Sequence, residues 1–419
     1  MVDQSNAVRR LADLRREDLP VAGGKAANLG ELASAGLPVP PGFVVTTVTY
    51  RALVDSAPIR GAIERLDALG AGSDELTTVA EEIREHVRRR EFDPAVASVV
   101  DDTVATLDDA DGFAVRSSAT AEDLPSASFA GQHESYLGVS PDDVLDRVRD
   151  CMASLFTDRA VAYRARSGIG HADAAMAVLV QPMADATAAG VLFTADPTTG
   201  NRHVASVDAT FGLGESVVAG EVTPDHALVD SQSDDVTEYT VGSKSAAVEL
   251  DRMATDDGDG TRRVDLPAER REARVLTDEQ LRTLVGLGQR AESILGAPQD
   301  VEWALVDGGF VLLQSRPITS LFPVPSPAPG DDRLHAYVSM GHMQAMPEAM
   351  PPLVRDVWHA YTENALSAMG FGDAHWSPTV AAGGRVYIDV TPLLRRPWLR
   401  RRLIDRMAAI NERVADGLA

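Results

Sequence analysis

Cysteine occurs once, at Cys151, and lysine only twice, at Lys25 and Lys244. A single thiol excludes a disulfide framework and a four-thiolate metal site. No run approaches the roughly 18 apolar residues of a membrane-crossing helix. The opening stretch, MVDQSNAVRRLADLRRED, lacks the apolar segment of a secretory signal. Positive charge is also short: 39 basic residues face 63 acidic ones, for a net charge of -24. That balance speaks against a nucleic-acid partner, which would want a broad basic face. Together these absences predict a cytoplasmic protein that works on neither membranes nor nucleic acids. An acidic, lysine-poor surface suits a salt-rich cytoplasm, where screening weakens self-repulsion, so a halophilic source is expected. A GC-rich genome would deplete lysine as well.

What is present has length for two or three domains, 419 residues, with an ordinary apolar fraction of 44%. Near the N-terminus, AGGKAANLGELASAGLPVPPGF predicts a Gly-rich loop and then a helix from Ala26 to Ala35. Leu29 and Leu32 share a face of that helix, Gly36 stops it, and FVVTT reads as a strand. Helical periodicity fills roughly 58 to 108 and again about Asp142 to Ser167. From Ala174 strands dominate (AMAVLVQPM, AGVLFTAD, VASVDAT, HALVD), separated by turn residues. TDDGDGTRR (255–263) reads as an exposed loop, and a helix at 277–295 precedes a hairpin, VEWALVDGGFVLLQSR. LFPVPSPAPGDD reads as an interdomain linker. The tail beyond it has no closing hydrophobic pattern and reads as the first part of a larger domain.

The hairpin carries the sharpest chemical pattern. A three-residue loop, Asp307-Gly308-Gly309, sets Glu302 opposite Gln314 and Asp300 opposite Arg316, all on one face. Trp303, Leu305, Val311, Leu313 and Ser315 then take the other face. Two acids, an amide and an arginine suit Mg2+ and phosphate oxygens. The same pattern suits an edge hairpin with a solvated polar face, and a two-residue loop would shift the register and scramble the set. Lys25 sits in GGKAAN, where Gly23 and Gly24 let backbone amides approach an anion and the following helix presents its N-terminus. An exposed lysine would read the same way. In AVRSSATAEDLPSASFAGQHES, Arg116 ends a strand, Ser117, Ser118 and Thr120 supply hydroxyls, and SASFAG offers a flexible cover. An ordinary surface loop is the alternative there.

These stretches, with FTADPTTG and DATFGLGESVVAGEVTPD, resemble the nucleotide-binding module of the PEP-utilising dikinases, the family of phosphoenolpyruvate synthase, pyruvate phosphate dikinase and rifampicin phosphotransferase. The resemblance runs in order over about residues 8 to 320. It implies an α+β, ATP-grasp fold at 1–320 that clamps ATP with Mg2+, a Pro-rich linker at 321–333, and the start of an acceptor-binding domain at 334–419. It makes Lys25, Arg116 and Arg316 phosphate ligands and catalytic residues, and puts Gly131 and Ser135 on a flap over the nucleotide. Gln181 would sit at the adenine edge. Glu302 and Gln314 would hold Mg2+, with Asp300 assisting.

Members of the family split ATP to AMP and phosphate and pass the β-phosphoryl to a histidine on a swivelling domain, which carries it to an acceptor. No Gly/Thr-Ser-His motif of that carrier occurs in this sequence, so the resemblance implies a carrier supplied in trans or lost by truncation. After the linker, AYVSMGHMQAMPEAMPPLVRDVW and GGRVYIDVTPLL resemble the antibiotic-binding domain of the rifampicin enzymes, which implies a mainly helical, incomplete second domain and a rifampicin-like acceptor. Met340, Met343, Met346 and Met350 give adaptable apolar surface, although helix core is the commoner role of a methionine. Phosphoenolpyruvate synthase acting on pyruvate, and a non-catalytic nucleotide-binding subunit, stay open.

Overall fold

A computed structural model of the protein describes residues 4–70, 72, 73, 75–107, 112–120, 123, 124, 127, 128, 134–218, 220, 222–251, 260–325, 335–339, 349–366 and 379–408. The chain divides into two compact units, Met1–Thr319 and Ser320–Ala419.

The first unit is a mixed helix-and-sheet body. Its strands are β1 (Val8–Arg10), β2 (Phe43–Val45), β3 (Phe113–Ala119), β4 (Asp123–Leu124), β5 (Ala127–Ser128), β6 (Ser135–Val139), β7 (Met176–Pro182) and β8 (Ala188–Phe193). They continue with β9 (Val204–Phe211), β10 (Asp225–Asp230), β11 (Val236–Thr240), β12 (Ala246–Leu250), β13 (Thr261–Asp265), β14 (Gln299–Val306) and β15 (Gly309–Pro317). A five-stranded sheet has the order β1-β2-β7-β3-β6, and a six-stranded sheet has the order β11-β10-β9-β8-β14-β15. Every neighbouring pair in both sheets is antiparallel.

Alternation along the strands sorts the side chains into layers. In the first sheet, Phe113, Val115, Val178 and Val180 bury against helices, among them Glu75–Arg89, which repeats apolar residues at Leu76, Val79, Ala80, Ile83 and Val87. Its opposite face packs Val44, Ala177 and Leu179 on helix α1, Leu19–Ser34. The second sheet buries Val207, Val301, Trp303 and Leu312 against a later helix whose Thr277 cap and Gln280 bond each other's backbone amides. Trp303 meets Phe310 edge to face at 5.4 Å, a geometry that adds about 1 kcal/mol to the burial of the rings.

Several local expectations change. The helix expected at about Asp142 to Ser167 is broken. α2 is Val144–Ala153, a tight turn covers Ser154–Phe156, and α3 is Asp158–Ser167. Thr157 starts the second helix by accepting from the Ala160 amide, a cap set inside a periodic run. Residues 261–263, expected as loop, belong to β13, and 252–259 lie outside the described residues. The helix expected at Ala26 begins at Leu19 and is interrupted at Gly23, where φ is 73° and ψ is 167°.

The second unit has a three-stranded sheet, β16-β18-β17, of Tyr337–Ser339, Arg385–Asp389 and Thr379–Ala382. Helices Pro352–Leu366 and Pro397–Ala408 accompany it, so the tail expected to be mainly helical also contains a sheet. Met350 is buried with Val386, and Trp358 and Ile388 pack on them, which makes this methionine core and not ligand surface. Met340, Met343 and Met346 lie outside the described residues.

Candidate functional site

Site geometry begins at the hairpin. Its turn has two residues, Asp307 and Gly308, both at positive φ (50° and 80°), with Val306 opposite Gly309. That is the loop length expected to scramble the register. A bulge corrects it: Trp303 faces Leu312 while Glu302 faces Gln314, which leaves Leu313 as the extra residue. Below the bulge, Asp300 faces Arg316 as the polar pattern requires. Above it the apolar assignment changes, and Phe310 and Leu312, not Val311 and Leu313, enter the core beside Trp303.

Arg116 joins the two sheets at this bulge. It projects from β3 with Ser118, donates from Nη1 to the Leu313 carbonyl at 3.0 Å, and lies 4.0 Å from Glu302 Oε2. The unpaired residue of the bulge therefore supplies the acceptor that aims the guanidinium. Arg316 donates from Nε at 2.8 Å and approaches with Nη2 at 2.7 Å, both to Asp300 Oδ2. Burial pushes the Asp300 carboxyl above its usual range, against the pull of Arg316.

α1 brings Lys25 to the same region. Gly23 is wedged against β3: a Cβ there would lie 2.0 Å from the Ser118 carbonyl oxygen. Ser118 Oγ accepts from the Ala26 amide at 3.1 Å and donates to the Ala22 carbonyl at 2.8 Å. Asn28 Nδ2 donates to the Ser315 carbonyl at 3.1 Å, so α1 is tied to both sheets. Lys25 is buried. Two expectations are corrected here. The Ser118 hydroxyl is consumed in holding α1, and Thr120 Oγ1 in a bond with the Ala175 amide at 3.1 Å, so neither is left for a phosphate. The Ala26 amide, expected to face an anion, is spent on Ser118.

Among the remaining expected residues, Gln181 is buried beside Ala114, and its Nε2 donates to the Pro40 carbonyl at 2.9 Å. Ser135 is exposed on β6 opposite Arg116. Gly131 lies outside the described residues. Lys25, Arg116, Asp300, Glu302, Gln314 and Arg316 thus come from α1, β3 and one hairpin. Asn28 and the Leu313 carbonyl were not singled out by sequence, and only the bulge reveals the second. Cys151 is buried, burial raises its pKa, and its thiol bonds the Val115 carbonyl at 3.7 Å, an inert setting.

Among the described residues, no helix is long and apolar enough to cross a membrane, and no three His, Cys, Asp or Glu side chains gather as a metal site. Glu302 and Asp300 with the Gln314 amide form a smaller set of hard oxygen donors, the kind Mg2+ takes when substrate phosphates complete its shell.

The family described as "Pyruvate phosphate dikinase, AMP/ATP-binding domain" matches residues 19–326. A Streptomyces protein named rifampicin phosphotransferase is 43% identical over 399 residues, 94% of this chain and 44% of its own length. Its Bacillus cereus namesake is 37% identical over 418 residues, 99% of this chain and 46% of its own. A probable phosphoenolpyruvate synthase of Methanothermobacter thermautotrophicus is 42% identical over 317 residues, 74% of this chain and 45% of its own. The chain spans less than half the length of these curated relatives. With residues 19–326 matched and the polar hairpin set against Arg116, the chain belongs to the pyruvate phosphate dikinase AMP/ATP-binding domain family.

Proposed function

We propose that residues 1–320 form an ATP-grasp module that binds ATP with Mg2+ between its two sheets, within a dikinase-type phosphotransferase. The observation that carries this reading is Arg116, reaching from β3 to the Leu313 carbonyl and to within 4.0 Å of Glu302. It sets a fixed cation beside the carboxylate that would hold the metal. Lys25 and Arg116 would bind phosphate oxygens from one side and Arg316 from the other, with charge neutralisation and in-line positioning as their contribution. Glu302 and Gln314 would hold Mg2+, Asp300 assisting through the oxygen that Arg316 does not take. When bound, the ion neutralises charge developing on the phosphates. Gln181 stands for the adenine edge, and Gly131 and Ser135 for the flap.

The reaction read from the family is cleavage of ATP to AMP and phosphate, with the β-phosphoryl passed through a histidine outside this chain to an acceptor. The named rifampicin phosphotransferases match 94% and 99% of the chain, tail included, whereas the named phosphoenolpyruvate synthase matches 74%. That difference favours an acceptor of rifampicin type, read by residues 334–419 after a linker at 321–333. The test supplies a phosphohistidine carrier domain in trans with ATP and offers a rifamycin and pyruvate separately. Formation of AMP with a phosphorylated rifamycin supports the reading. Phosphoenolpyruvate alone promotes the synthase, and absence of AMP with either acceptor leaves a nucleotide-binding subunit.

A further inference from the structure

The cleft face of the six-stranded sheet carries a second polar centre, built on Asp208, the first residue of the DATFGLGESVVAGEVTPD stretch, and His226, which directly follows its last. Ala205, Val207 and Ala209 of β9 lie in the core, so Asp208 points to the opposite face. The register puts it in one row across the sheet: Gln314 faces Glu302, Glu302 faces Val191, Val191 faces Asp208, and Asp208 faces His226. Residues directly opposite one another share a face, so Asp208 and His226 lie on the same side as Glu302. At about 4.8 Å per strand, Asp208 stands roughly 10 Å along the row from Glu302.

His226 Nδ1 lies 2.8 Å from Asp208 Oδ1. A carboxylate oxygen accepts, so Nδ1 carries the hydrogen. The second carboxylate oxygen of Asp208 takes no partner among the described residues. The pair is open to a ligand, with 43% of the His226 and 29% of the Asp208 side chain exposed.

The surroundings say which part of a nucleotide would pass over it. Arg116, Asn28 and α1 close the β14–β15 end. The crossing between the sheets lies toward β8 and β9, where the Gly212 amide donates to the Thr187 carbonyl and Met183 and Ala186 pack on Leu213, Val248 and Leu250. A nucleotide with phosphates at Glu302 and Arg116 turns its base toward this apolar cluster and lays its sugar over β8 and β9. We propose that Asp208 and His226 are its sugar-recognition pair. Asp208 accepts from the two hydroxyls of the ribose cis-diol, and His226 fixes the carboxylate through Nδ1. A carboxylate suits this task because it offers acceptors only, matched to two adjacent donors.

This rests on the nucleotide reading, and the test separates the two. Calorimetry with Mg2+ measures ATP, 2′-deoxy-ATP and 3′-deoxy-ATP on wild type, Asp208→Ala and His226→Ala. Both residues are partly exposed, and melting curves check that the variants fold. Wild type is expected to lose roughly tenfold or more in affinity for each deoxy analogue, the worth of a hydrogen bond to a charged group. Asp208→Ala should bind all three nucleotides alike, near the wild-type value for the deoxy forms, and His226→Ala should lose part of the discrimination. A folded Asp208→Ala that keeps the full wild-type preference, or a wild type that binds all three equally, overturns the proposal with the nucleotide site intact. A wild type that binds none overturns both.

Discussion

Replacing Gly23 by Ala tests how the lysine-bearing helix is seated. At φ 73° and ψ 167° the backbone lies where glycine alone is at ease, and occupying that region with a side chain costs about 1–3 kcal/mol. The new Cβ would also lie 2.0 Å from the Ser118 carbonyl oxygen, which is backbone in a central strand and cannot swing away. Relief requires α1 to lift off β3, breaking the Ser118 bonds to Ala22 and Ala26 at a further 1 kcal/mol or so each. The sum is about 3–5 kcal/mol. Gly36→Ala is the internal control: φ is 76°, nothing lies within 4 Å of its Cβ, and only the left-handed cost of about 1–2 kcal/mol applies. Urea unfolding of wild type and both variants measures the difference, with ATP affinity measured in parallel. Gly23→Ala should cost about 2 kcal/mol more than Gly36→Ala and should weaken ATP binding. Equal costs with unchanged affinity would refute the claim that Gly23 seats α1, and Lys25 with it, against β3 at Ser118.

Three further outcomes are expected. His171 Nδ1 accepts from Arg164 Nε at 3.1 Å, and burial followed by the nearby guanidinium lowers its pKa to about 4. The unfolded chain then binds the extra proton first, so up to about 3 kcal/mol of stability should drain away as pH falls from 6.5 toward 4. Unfolding midpoints across that range should fall more steeply for wild type than for His171→Gln, and parallel curves would count against the buried neutral ring. Lys25→Arg should weaken ATP binding although charge is kept, because a planar fork does not replace a compact ammonium; calorimetry showing full affinity would refute this. The net charge of -24 predicts a melting temperature that rises between about 0.1 M and 2 M KCl, and a flat dependence would remove the salt-adapted reading.

How much of this was legible in the sequence depends on the range of the interaction. The pairing of Asp300 with Arg316 and of Glu302 with Gln314 follows from alternation along two strands. The turn that delivers it does not, because Asp307-Gly308-Gly309 allows loops of two or three residues, and the bulge at Leu313 cancels the difference. Hydroxyls in a serine-rich stretch are visible as donors, but whether a neighbour has claimed them is a tertiary fact, as Ser118 and α1 show. The break at Thr157 was within reach, since Thr followed by Asp inside a periodic run is a capping signal. Asp208 and His226 carry no such signal. They stand 18 residues apart on separate strands, and only the register of β9 against β10 makes them neighbours.

The central claim is that Glu302, set between Gln314 and Arg116, holds a metal that carries ATP phosphates. Calorimetric titration of ATP with and without Mg2+, on wild type and Glu302→Ala, addresses it most directly. The account predicts Mg2+-dependent binding by wild type and loss of that dependence in a variant that still melts cooperatively. Mg2+-dependent affinity unchanged in Glu302→Ala would contradict it.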